Sequence, residues 1–214
     1  MDFDANIEQD LRAGLKGLGL SLSDETVSQF LQLIEMLAKW NRAYNLTAIT
    51  EPAAVIRKHF LDSLSIHDRL QGPTMLDVGT GGGFPGLPLA MIRPDLTFTL
   101  LDSHAKKLRF IDHVAATFNL HNVTTVHARV EAFTPAQRFD TITSRAFSSV
   151  SRFAGWIDHL LGDEGVALAM KGRLEQDDHA ALGAQWQVEV CPLVVPLLTD
   201  ERHVIELRRQ SVSK

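Results

Sequence analysis

A chain of 214 residues, 45% hydrophobic and 22% charged, fits one compact domain or one domain with a modest extension, and excludes wholesale disorder. Its single cysteine, Cys191, excludes an internal disulfide and fits a reducing compartment. The net charge of −5 argues mildly against indiscriminate nucleic-acid affinity, but it is unevenly spread. Residues 1–38 hold seven of the 26 acidic residues and two of the 21 basic ones, so the remainder is balanced at 19 and 19. A local basic face beyond residue 38 is therefore open.

No apolar run approaches the length of a membrane-spanning helix, and the start "MDFDANIEQD" lacks the basic-then-apolar layout of a signal peptide. The expected location is the cytoplasm, with no membrane association. The chain shows neither repeats nor low-complexity tracts.

Ile7, Leu11, Leu15 and Leu18 recur every three to four residues, the apolar stripe of a first helix. A second helix starts at "SLSDET", with Ser23 as N-cap and Asp24 and Glu25 in the first turn. It carries Val27, Phe30, Leu31, Ile34, Leu37 and Trp40 as its apolar positions. "NLTAITEP" ends it, and Pro52 suits the first turn of a third helix over "AAVIRKHFLDSLSI". "QGP" at 71–73 then punctuates the chain. Residues 1–72 thus read as a helical extension and 73–214 as the domain proper.

From Met75 the pattern changes to short β-rich runs: "TMLDV", "TFTLLD", "VTTVHA", "FDTITS" and "GVALAM". Helical patterns separate several of them, most clearly "AKKLRFIDHVAATFN". Strands alternating with helices predict an α/β fold with a mostly parallel sheet and right-handed crossovers. The tail differs. "WQVEVCPLVVPLL" and "HVIELRR", parted by the polar "TDER", predict a C-terminal antiparallel hairpin on the sheet edge, where Pro192 and Pro196 are tolerable.

The stretch "MLDVGTGGGFPG" joins the first strand to a helix, at the carboxyl edge where open α/β sheets bind ligands. Gly79, Gly81 and Gly83 can take φ > 0 and let a ligand lie against the main chain. A phosphate-binding P-loop is excluded, because "GGFPG" offers no Gly-Lys-Ser/Thr. Gly81-x-Gly83-x-x-Gly86, with Asp102 at the next strand end, also fits a dinucleotide fingerprint. Asp77 opposes that option, since a pyrophosphate avoids an anion at its entrance. An acid there suits a ligand with an ammonium and a sulfonium and no phosphate, namely S-adenosyl-L-methionine. Asp102 is then the acceptor for both ribose hydroxyls, or simply a helix cap for "SHAKK". Val130 and Glu131, in "VHARVEAF" at the third strand end, are the expected adenine-side pair: a packing face and a polar edge.

Taken together, "DVGTGGGFPGLPLA", "TLLDSHAKKLRF", "RVEAF", "SRAF" and "MKG" occur in the order found in the glucose-inhibited division protein B family, which this chain resembles over nearly its whole length. "KWNRAYNLTAI", "HFLDSL" and "RHVIEL" are similar as well. The resemblance implies a Rossmann-like class I S-adenosylmethionine-dependent methyltransferase fold, acting on a guanine N7 of small-subunit (16S) ribosomal RNA. By the same resemblance, Gly79 and Phe84 match loop positions that contact the cofactor, and Val130 and Glu131 match the adenine-side pair. Asp102 matches the ribose-binding acid of the wider class, and Arg145 in "SRAF" matches a further cofactor or active-site position. Where the family loop commonly carries proline or another residue, this chain has Gly82.

Guanine N7 has a free lone pair and no proton to lose, so such a reaction needs positioning more than a general base. The sequence shows no convincing nucleophile–base pair, and no catalytic residue is firmly assigned. Arg145 and, less directly, Lys171 at the fifth strand end are the groups expected near the acceptor. Lys39, Arg42, Arg57, Lys58, Lys106, Lys107 and Arg109 are candidates for phosphate contacts with ribosomal RNA or a ribosomal particle. Nine scattered histidines lack metal-ligand spacing, so no metal is expected. Trp40, Trp156 and Trp186 are expected in core packing. A small-molecule methyltransferase, a dinucleotide-dependent oxidoreductase and a non-catalytic RNA-binding factor remain as alternatives on sequence alone. The oligomeric state is not legible.

Overall fold

The computed structural model describes residues 5–145, 147, 149–174 and 182–210. Helices α1 (Ala5–Gly17) and α2 (Asp24–Tyr44) come first. Ser23 caps α2 as its pattern predicts, its side chain accepting from Thr26 N at 3.1 Å. Asn45 closes it in the left-handed region at φ 50°. Asn41 then grips the following loop, donating through Nδ2 to Thr47 O and accepting from Thr47 N, both at 2.9 Å.

The third predicted helix exists, but its winding changes twice. Helix α3 (Pro52–Val55) passes into a π-helical stretch, Ile56–Leu61, before α4 (Asp62–Leu64). Glu51 caps its start, accepting from Ala53 N and Ala54 N, and Pro52 occupies the first turn. A wide turn of this kind commonly marks a functional segment, and here it carries Lys58 and His59.

The strands are β1 (Thr74–Val78), β2 (Thr97–Asp102), β3 (Val123–His127), β4 (Phe139–Ser144), β5 (Leu161–Lys171), β6 (Trp186–Pro192) and β7 (His203–Arg209). Between them lie α5 (Gly86–Ile92), α6 (Ala105–Phe118) and α7 (Val150–Ile157). They form one sheet in the order β3-β2-β1-β4-β5-β7-β6. The first five strands pair in parallel, whereas β7 runs antiparallel to both β5 and β6. The expected C-terminal hairpin is present, with one correction. Strand β6 stops at Pro192 instead of running on to Leu198: the chain forms a turn there, Leu198 N donating to Val195 O at 3.2 Å, and Val195 is buried.

From β1 the chain winds outward through β2 and β3, then returns to β4 on the other side of β1. The carboxyl ends of β1 and β4 therefore border the topological switch point, where such sheets open a crevice. Alternate residues on each strand serve opposite faces. Met75, Phe98, Leu100 and Leu168 point to a core shared with Leu11, Phe30 and Phe60 of the helical extension. Leu76, Leu101, Ile142 and Ala169 point to a second core under α7, with Phe153 and Ile157. Full burial of a Phe or Leu contributes about 1.5–3 kcal/mol over exposure, so the first core fastens the extension to the sheet.

Candidate functional site

The loop after β1 has the backbone its glycines predict: φ is 69° at Gly79, 61° at Gly81 and 91° at Gly83. Gly86 serves a different purpose. A β-carbon there would lie 2.1 Å from Leu100 Cδ2 and 3.0 Å from Asp77 Oδ2, so only glycine lets α5 sit against β2. At Gly81 the nearest atom to such a carbon would be Gly79 O at 3.9 Å, which leaves an open cradle above the main chain.

Asp77 does not meet a ligand from the loop surface, which corrects the expectation placed on it. The side chain is completely buried, and its Oδ2 accepts from Thr80 Oγ1 at 2.6 Å and from Gly86 N at 3.0 Å. It braces the turn from beneath. Among the described residues its Oδ1 has no hydrogen-bond partner. Burial pushes this carboxyl up to about 6, an effect that the Thr80 and Gly86 bonds and the charge of Arg145 only partly offset.

Asp102 does double duty. Its Oδ2 accepts from Gly81 N at 2.9 Å, and its Oδ1 from His104 N at 2.8 Å, so it ties the glycine loop to the start of α6. His104 Nδ1 lies 2.9 Å from the same Oδ1, and Lys107 Nζ is 4.0 Å from Oδ2. Although only 5% exposed, Asp102 lines a cavity of about 250 Å³ with Gly79, Val130, Glu131 and Lys107. Trp156 of α7 lines it too. Half-buried, Trp156 packs against the second core as expected, and its place at the cavity is an addition that helical spacing does not record.

A second cavity, about 440 Å³, opens on the other side of Gly79. Gly81, Phe84 and Arg145 line it, whereas Asp102, Val130 and Glu131 line the smaller one; Gly79 is shared, and the Gly81–Asp102 hydrogen bond joins the two walls. Phe84 is buried beneath it. The ring stacks on His59 with centroids 4.7 Å apart and planes at 15°, and the Arg145 guanidinium lies 5.6 Å from the Phe84 centroid.

Of the lining residues that come from the helical extension, three are ionisable: Lys58, His59 and Asp62. Arg145 Nη1 donates to Lys58 O at 3.1 Å and Asp62 Oδ2 at 3.0 Å, while Nη2 lies 3.3 Å from His59 Nδ1. His59 Nε2 is 2.7 Å from Thr47 Oγ1. Burial, reinforced by the Arg145 charge, pushes His59 down to about 3, so the ring is neutral near pH 7. As acceptor from Arg145 at Nδ1 it must carry its proton at Nε2, toward Thr47. Asp62 and Arg202 carried no distinguishing spacing in the sequence; only the folded chain brings them to Arg145.

The expected phosphate-contact residues divide. Arg57 pairs with Asp10 at 2.8 Å and Lys58 with Asp200 at 2.9 Å. Lys39, Arg42, Lys106 and Arg109 are exposed, and Lys107 is at the rim of the smaller cavity. Lys171 lines the larger one, its Nζ 5.6 Å from the Phe147 centroid. Cys191 is half-buried on β6, with Sγ 3.5 Å from Glu189 Oε1. Trp186 is buried under the Arg209 guanidinium, and Trp40 stacks on Tyr44. Among the described residues, no helix is long and apolar enough to cross a membrane.

Residues 26–205 match the family described as rRNA small subunit methyltransferase G. A ribosomal RNA small subunit methyltransferase G from Erwinia tasmaniensis is 45% identical over 200 residues, 93% of this chain and 98% of the relative. One from Escherichia coli is 42% identical over 199 residues, covering 92% and 96%. Among solved structures, a ribosomal protein L11 methylase from Lactobacillus delbrueckii subsp. bulgaricus superposes with a TM-score of 0.56 at 16% identity, covering 71% of this chain and 77% of that one. TrmN from Thermus thermophilus gives 0.55 at 16% identity, covering 79% and 53%. Coclaurine N-methyltransferase, bound to N-methylheliamine and SAH, gives 0.53 at 14% identity, covering 88% and 73%. These structural likenesses establish the Rossmann-like methyltransferase fold.

Proposed function

The chain belongs to the rRNA small subunit methyltransferase G family, and from that premise we propose that it transfers a methyl group from S-adenosylmethionine to N7 of a guanine in small-subunit (16S) ribosomal RNA. The observation that carries the reading is the pair of cavities meeting at Gly79, beside the switch point of the sheet. One suits a nucleoside, the other its reaction partner.

The residues present fit the methyl donor. The bare main chain over Gly79 and Gly81, braced from beneath by Asp77, favours a ligand that lies flat on the loop. Asp102 would hold the ribose hydroxyls, Val130 and Glu131 the adenine, and Gly79, Gly81, Phe84 and Arg145 the end nearest the acceptor. When bound, S-adenosylmethionine supplies an electrophilic methyl group on a sulfonium.

The protein's own work is then to position the base. Two acceptors facing Arg145 are already engaged: His59 through both ring nitrogens, and Asp62 through both oxygens. Neither needs to take a proton, because N7 carries none. Arg145 is suited to orient the guanine edge or an adjacent phosphate. The target base must be unpaired or extruded to enter. Such an activity places the protein with ribosomal particles in the cytoplasm.

Mapping N7-methylguanine in 16S ribosomal RNA from cells with and without the protein tests the reading. A site-specific methyl group lost with the protein supports it. RNA affinity indifferent to S-adenosylmethionine, without methyl incorporation, would replace it with a non-catalytic binding role.

A further inference from the structure

We propose that Asp62, on the helical extension, is a positioning residue for methyl transfer: its one carboxylate fixes Arg145 and Arg202 together at the acceptor cavity. The inference rests on the proposed function, since it concerns how the acceptor RNA is presented.

Asp62 is 5% exposed, and both its oxygens are used by cations. Oδ2 accepts from Arg145 Nη1 at 3.0 Å, and Oδ1 from Arg202 Nε at 3.0 Å. The three residues arrive from different parts of the fold: the end of the π-helical stretch, the end of β4, and the approach to β7. Both arginines line the cavity, with side chains 21% and 18% exposed, so each is held from behind and open in front. Arg202 also donates from Nη1 to Glu201 O at 2.8 Å, and its Nη2 is 3.8 Å from Asp200.

Charge and geometry together point to a role beyond stability. Along the cavity wall Lys58, Arg145, Lys171 and Arg202 outnumber Asp62, and Asp200, paired with Lys58 and Arg202, offsets only part of that positive charge. That charge is matched by RNA, through a phosphate or the electron-rich O6/N7 edge of guanine. As a stabilising device alone the triad is poor, because buried ion pairs are commonly replaced by apolar groups without loss. Arg145 also meets Lys58 O and His59, and Arg202 meets Glu201 O, but only Asp62 ties the two forks to each other, and methyl transfer by in-line displacement depends on that alignment. A misplacement of about 1 Å costs about 100-fold in rate. Asp62 touches neither reactant; it acts through the two arginines.

The test is Asp62→Asn, which keeps shape and removes charge. Calorimetry measures S-adenosylmethionine affinity, and tritiated methyl transfer to purified, unmethylated small ribosomal subunits gives kcat and KM. The expected result is a kcat lower by about 10- to 100-fold, with cofactor affinity within about 3-fold of the unaltered protein. A crystal structure of the variant should show at least one guanidinium group displaced, because asparagine keeps one acceptor oxygen and turns an amide donor toward the other fork. Unchanged kcat, arginines that stay in place, or cofactor affinity falling in parallel with rate would each overturn the inference. Should Asp62→Asn fail to fold, Asp62→Glu, which keeps the charge on a longer arm, is read by the same split. If the unaltered protein binds S-adenosylmethionine yet methylates no small subunit, the proposed function falls and this inference with it. If the unaltered protein methylates the subunit and the variant matches it in kcat, the inference alone is overturned.

Discussion

The two cavities that share Gly79 are built on opposite principles. The smaller one draws its walls from strand ends and the segments just after them: Gly79 after β1, Asp102 at the end of β2, Val130 and Glu131 after β3. The sheet alone positions these groups, because parallel neighbours end in register and turn the same edge to the ligand. The larger one is assembled from chain segments far apart, and its Arg145–Asp62–Arg202 triad spans the extension, β4 and the β7 approach. A cofactor that is the same throughout a fold class can be met by sheet geometry. A macromolecular acceptor needs walls that the sheet does not supply, and here the extension provides one.

If that division is right, the walls can be damaged separately. Arg145→Ala should have the largest effect, lowering methyl transfer by about 100-fold, with a much smaller loss of cofactor affinity and cooperative unfolding retained. Steady-state transfer assays with calorimetry check it; a matching loss of cofactor affinity would merge the two cavities into one functional unit.

Asp77 sits beneath the junction, and it titrates in the opposite sense to His59. Its folded-state value of about 6 exceeds the ordinary 3.8, so between those values the native state binds more protons than the unfolded one. Its contribution is fully present below pH 4 and is lost as pH rises through 6, by about 3 kcal/mol. His59, held down at about 3 against 6.5, contributes stability above pH 6.5 that is lost as pH falls. Denaturant unfolding of Asp77→Asn from pH 4 to 7 should therefore show a more positive slope of stability with pH than the unaltered protein. Parallel slopes would show that the buried carboxyl does not titrate there.

Asp102→Ala should act on the smaller cavity, weakening S-adenosylmethionine by about 10- to 100-fold through the loss of a charged acceptor. Because Asp102 also ties Gly81 to His104, some loss of thermal stability should accompany it. Unchanged affinity by calorimetry would remove Asp102 from the cofactor site. The smallest effect is expected at Lys58, whose solvent-exposed pair with Asp200 adds little to stability. Lys58→Ala should barely move the melting temperature. If Lys58 meets a phosphate, RNA binding weakens and its salt dependence flattens by about one unit of slope; an identical slope would leave it a surface charge.

Much of this could be read along the chain, and the exceptions have a common cause. Periodicity located the strands and the α2 and α6 helices because burial on a sheet face or helix stripe repeats at a fixed interval. The glycine loop was legible because positive φ has few substitutes among residue types. Asp77 misled, since an acid at a loop mouth and an acid braced beneath that loop share the same sequence position. Trp156 was assigned to the core because spacing records which face a residue occupies and not whether a cavity opens beside it. The π-helical stretch at Ile56–Leu61 left no periodic signature, for one widened turn shifts the pattern too little over so short a run.

What the sequence determined by itself was local: strand and helix identity, the backbone freedom of the loop, the acids at strand ends, and through their order the family. Tertiary structure alone decided which distant charges meet. Asp62, Arg145 and Arg202 lie 83 and 140 residues apart along the chain, and no local propensity encodes such a meeting. It follows from the crossover order of the sheet and from the apolar core that holds the extension against it, and both are properties of the whole folded chain.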